Sequence, residues 1–114
     1  MSIDTDELYN NILAAAEGAF KDGWQAVKTY APAEFKKMAI QLAEIAENIT
    51  LYQTDETRGY SAQTGKILFN MQKASCEAVL VAITQLTLNT VQKAMKAIIA
   101  VLKDAVGALI SGVI

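Results

Sequence analysis

Hydrophobic positions recur along this chain with a helical period almost throughout, and four stretches can be told apart by where that period breaks. In the first, residues 5–29, Leu8, Ile12, Ala15, Ala16, Ala19, Phe20, Trp24 and Val27 keep the spacing of one helix face. Its start carries full capping chemistry. Asp4 is placed to cap, Glu7 to reach back as a capping box, and Ile3 to pack on Leu8 as a hydrophobic staple. Gly18 and Gly23 weaken the segment by about 1 kcal/mol each relative to alanine, and mark a kink or a close helix contact. Tyr30-Ala31-Pro32 ends it, because the residue before a proline is pushed out of the helical region while the proline itself suits a first helical turn.

The second stretch, residues 32–53, is the most regular. Phe35, Met38, Ala39, Leu42, Ile45, Ala46, Ile49 and Tyr52 fall on one face, with Lys36, Lys37, Gln41, Glu44, Glu47 and Asn48 opposite. Thr54 to Ser61 is a polar run with one glycine, Gly59, and reads as the surface connection.

In the third stretch, 61–86, the polar residues shrink to one narrow line, Lys66, Asn70, Lys73 and Glu77, surrounded by Ile67, Leu68, Phe69, Met71, Val79, Leu80, Val81 and Ile83. That line loses its register after Thr84-Gln85-Leu86-Thr87-Leu88. A break is therefore expected between 84 and 90, with Asn89 or Thr90 capping the helix that follows. The spacing leaves open whether 61–114 is one bent rod or a hairpin. The fourth stretch, 90–111, gathers Asn89, Gln92, Lys93, Lys96, Lys103, Asp104, Gly107 and Ser111 into one arc of roughly 120°. Residues 97–114 hold only two charges and are a marginal membrane span by bulk hydrophobicity, but a spanning helix has no need of such an arc. The fold class expected is all-α: a single domain, 1–114, forming an antiparallel bundle of about four helices that oligomerises through its apolar C-terminal half.

Composition sharpens this picture. Of 114 residues, 53% are hydrophobic and 19% charged, too apolar for a disordered chain and long enough to hold a core without metal or disulfides. Residues 1–60 carry ten acids and five bases, a balance of −5, whereas 61–114 carry two acids and five bases, +3. The net charge of −2 gives no reason to expect nucleic acid as a partner.

Candidate chemistry is limited by what is absent. The chain has no histidine and one cysteine. Ser-His-Asp and Cys-His catalysis and histidine-containing zinc sites are thereby excluded within one chain. The glycines match no phosphate-binding loop. No catalytic residue, metal or cofactor is expected, and the chain is read as a non-enzyme. Cys76 reads as a small buried hydrophobe. A lone cysteine fits a reducing compartment, and the acidic start, Met1 to Glu7, does not read as a secretory signal.

Apolar faces wider than one bundle can bury predict a structural or assembly subunit, a homo-oligomer or a component of a filament, shell, secretion or viral particle, located in the cytoplasm or in a particle assembled from it. The residues expected at the contact are Ile98, Ile99, Leu102, Val106, Leu109 and Ile110. The alternative is a membrane-associated or pore-forming protein that inserts its C-terminal helices.

Overall fold

The computed structural model describes residues 4–29 and 31–106, with side chains through Lys103. Every regular element among the described residues is helical: α1 (Thr5–Phe20), a 3₁₀ turn (Lys21–Gly23), α2 (Trp24–Val27), α3 (Ala31–Thr54), α4 (Ala62–Thr84) and α5 (Leu88–Val106). The four long helices form a closed ring in which α1 packs on α3 and α5, and α4 packs on α3 and α5. They lie within an envelope of 46 × 22 × 19 Å.

Local chemistry accounts for most boundaries. The Asp4 carboxylate accepts from the Asp6 and Glu7 backbone N–H groups at 3.0 and 3.2 Å, satisfying two of the donors a helix start leaves open. Ile3, the expected staple, lies outside the described residues. The first stretch is not one helix to residue 29. It breaks at Lys21, which takes a positive φ of 51°, and continues as a tight turn and the short α2. Of its two glycines, Gly23 is the one at a close contact: a Cβ there would stand 3.4 Å from Leu86 in the α4–α5 connection, whereas Gly18 faces open space.

Between α3 and α4, the Asp55 carboxylate accepts from the Thr57 hydroxyl at 2.7 Å and the Thr57 N–H at 3.0 Å. These bonds hold its pKa below the ordinary aspartate value. Gly59 has φ of +63° and passes so close to the Asn48 carbonyl that a Cβ would overlap it. Ser61 then caps α4 by accepting from Thr64 N–H.

The α4–α5 break falls at 85–87, and the two helices form a hairpin rather than a rod. Gln85 closes α4 in the left-handed conformation, its N–H donating to Val81. The cap of α5 is neither Asn89 nor Thr90. It is Thr87, whose hydroxyl accepts from the Thr90 N–H at 3.2 Å, because α5 begins two residues earlier than its apolar pattern suggests.

Leu8, Ile12, Ala16 and Phe20 of α1, seven apolar residues of α3 from Phe35 to Ile49, Phe69, Cys76 and Leu80 of α4, and Val91, Met95, Ile98 and Leu102 of α5 meet in one core. At roughly 2 kcal/mol for each large side chain removed from water, this core supplies the main driving force for folding.

Candidate interaction surface

Helix α4 lies at a corner of the ring, and three faces can be read along it. Gly65, Phe69, Cys76 and Leu80 point into the core. The polar line Lys66, Asn70, Lys73 and Glu77 stands about 80° round the helix from them, on the side of α5. The face opposite the core therefore carries Ile67, Met71, Ala74, Ala78 and Ala82 and no charge at all. Ile67 is 62% and Met71 64% exposed, the most exposed large apolar side chains among the described residues. A soluble helix ordinarily places its charges opposite its core; α4 places them beside it.

Next to this face, α4 and α5 leave an open groove of about 480 Å³. Its floor is Met95, Ile99 and Ala100, and Lys73, Lys96 and Lys103 stand around it with Gln92 and Glu77. Glu77 is only 8% exposed.

Across the core, Cys76 lies near the carboxylates of Glu34 and Glu77 and the ammonium of Lys37. Burial first, and then the two carboxylates, push its thiol pKa up to about 12, so the reactive thiolate is scarce near neutral pH. Glu34 is itself paired with Lys37 at 3.0 Å. Among the described residues no group of three or more histidine, cysteine or acidic side chains could hold a metal ion.

The residues expected at a contact between copies are placed differently from one another. Ile98 and Leu102 are fully buried in the chain's own core and Ile99 nearly so, which leaves them unavailable to a partner while the bundle is closed. The side chain of Val106, at the end of α5, and all of Leu109 and Ile110 lie outside the described residues. The exposed apolar surface lies instead on α4. A helical wheel shows its composition, since Ile67, Met71, Ala74 and Ala78 share an arc. What the wheel lacks is the direction of the core, because α4 is apolar on both sides of its polar line.

No protein family, characterised protein or solved structure matches this chain.

Proposed function

We propose that this chain is a non-enzymatic structural subunit that self-associates, serving as a repeated component of a larger assembly. The observation that carries this reading is the charge-free outer face of α4, with Ile67 and Met71 more than half exposed. Leaving such a contiguous stripe in water costs free energy, and proteins that carry one usually cover it with a partner. A second copy is always at hand as that partner and presents the same face.

The test is the solution mass of the full-length protein by size-exclusion chromatography with light scattering, without detergent. A discrete oligomer is expected, and Ile67→Ser with Met71→Gln should weaken it at least tenfold while leaving the helical circular-dichroism signal intact. A monomer at every accessible concentration would overturn the proposal.

One further observation favours a second reading, association with a membrane. Among the described residues α4 is the one helix long and apolar enough to cross a bilayer, and only 22% of its apolar window is buried. On that reading α4, rather than the segment 97–114, is the element that meets lipid, with the bundle opening to release it. Flotation with anionic vesicles separates the two. Binding by the wild type but not by the Ile67→Ser, Met71→Gln variant, with no oligomer in free solution, would favour the membrane.

A further inference from the structure

The groove between α4 and α5 combines an apolar floor with charges that have no partner in the fold. Met95, Ile99 and Ala100 form the floor, with Lys73, Lys96 and Lys103 around it. Among the described residues the one ion pair is Glu34–Lys37, so Lys73, Lys96 and Glu77 are unpaired. Lysines that face each other across a groove repel, and an anion held between them relieves that repulsion. Their hydrocarbon stems meanwhile extend the apolar lining toward the rim.

These charges are not spread evenly. Counting out from Leu86 in the α4–α5 connection, Lys73 and Ile99 are each thirteen residues away, and Glu77 and Met95 each nine. In the hairpin, Lys73 is therefore level with Ile99 and Glu77 with Met95. Lys96 lies within one residue of the level of Glu77, so the two charges offset each other at the end nearer the connection. Lys73 and Lys103 have no acidic groove residue at their own level, and the far end is the cationic one. The apolar floor runs between the two ends.

Size selects among anions. The volume of about 480 Å³ lies within the range of small-molecule sites, about 300–1,000 Å³. From Gln92 to Lys103 the groove extends roughly 16 Å, and a helix of that length, about 10–12 Å across, would need roughly three times the volume. A single extended hydrocarbon chain fits where a peptide helix does not.

We propose that the α4–α5 groove binds a single-chain anionic amphiphile, a fatty carboxylate, with its head between Lys73 and Lys103 and its tail over Ala100, Ile99 and Met95 toward Gln92. Glu77 fixes the direction, because a head at its end of the groove would meet a nearly buried carboxylate. The site lies on the α5 side of α4, and the proposal does not rest on self-association.

The probe is dodecanoate, added to the full-length protein below its micelle-forming concentration and followed by isothermal titration calorimetry. One molecule should bind per chain, and dodecyltrimethylammonium, with the same tail and the opposite charge, should bind at least tenfold more weakly. Ala100 is exposed, so Ala100→Trp fills the groove without entering the core and should weaken binding at least tenfold, with the helical circular-dichroism signal unchanged. Lys73→Glu with Lys103→Glu should do the same. Lys66→Glu with Lys93→Glu, an equal change of charge at exposed lysines outside the groove, should leave binding within twofold. So should Ile67→Ser with Met71→Gln, which removes the apolar outer face of α4. Equal binding of the cationic analogue, full binding by Ala100→Trp, or equal losses in the two double-lysine variants would overturn the proposal. So would the absence of any binding with a Kd below about 1 mM.

Discussion

Helices α3 and α4 are nearly equal in length, pack against each other, and make opposite use of their apolar residues. Of its 24 residues α3 buries nine, and its outward side carries Lys36, Lys37, Glu44 and Glu47. Of its 23 residues α4 buries five, one of them Glu77, and turns Ile67 and Met71 to solvent. The same kinds of side chain are thus spent on the fold in one helix and held at the surface in the other. Apolar content alone therefore says little about a helix's role; what decides it is the angle between the apolar residues and the core.

The two helices should differ most when one apolar side chain is truncated in each. Leu42 is fully buried in α3, and Leu42→Ala should cost about 2–5 kcal/mol through lost burial and the cavity left behind. Ile67→Ala removes a side chain of similar size from α4, yet should change the stability of the monomer by less than about 0.5 kcal/mol. Urea denaturation of both variants, at a concentration low enough to keep the protein monomeric, checks the contrast. Equal losses would mean that Ile67 packs inward after all and that α4 has no free face.

A smaller effect is expected where the two helices touch. Gly65 lets α4 approach α3 so closely that a Cβ would stand 2.9 Å from Ile45 Cγ2 and 3.1 Å from Ile49 Cδ1. Gly65→Ala gains helix propensity but forces both isoleucines to move, and a net loss of about 1–2 kcal/mol is expected. At Gly18, where the added methyl meets nothing, the same exchange should instead raise stability by about 0.5–1 kcal/mol. A thermal melt of each variant reads the two signs. A stabilising Gly65→Ala would show that the α3–α4 seam has room to spare.

How far the sequence foretold this architecture depends on whether a feature is local. The Asp4 cap, the core face of α3 from Phe35 to Ile49 and the turn at Gly59 each follow from a few neighbouring residues, and each was readable. The break at Lys21 was not, because no glycine or proline stands at the residue that takes the positive φ, and Gly23 two places on is helical. The Thr87 cap was missed for a related reason: Leu88 and Asn89 precede the first buried residue of α5, so the periodic pattern starts later than the helix. The outer face of α4 required tertiary knowledge. With apolar residues on both flanks of its polar line, two orientations satisfied the pattern equally, and only the packing of Gly65, Phe69, Cys76 and Leu80 on α3 and α5 decides between them.

The smallest effect concerns the one buried thiol, which sits on the inward side of α4. Below about pH 8.5, the ordinary cysteine pKa, Cys76 is protonated whether the chain is folded or not, and it contributes no pH dependence. Above that value the unfolded chain releases the proton. The folded chain keeps it until about pH 12, held by burial and by the nearby carboxylates of Glu34 and Glu77. The unfolded state then binds fewer protons than the native one, so stability falls as pH rises, reaching a loss of about 1.4 kcal/mol near pH 9.5. Tyr60, raised by partial burial and by the Glu44 carboxylate, pulls the same way, but only above about pH 10. Urea midpoints of the wild type should therefore decline between about pH 8 and pH 9.5, while those of Cys76→Ala, lower at neutral pH because of the cavity, should stay level over that range. Parallel declines in the two proteins would place the alkaline sensitivity elsewhere. They would also mean that the thiol is hydrated in the folded state, and that the inner face of α4 is no more tightly closed than its outer one.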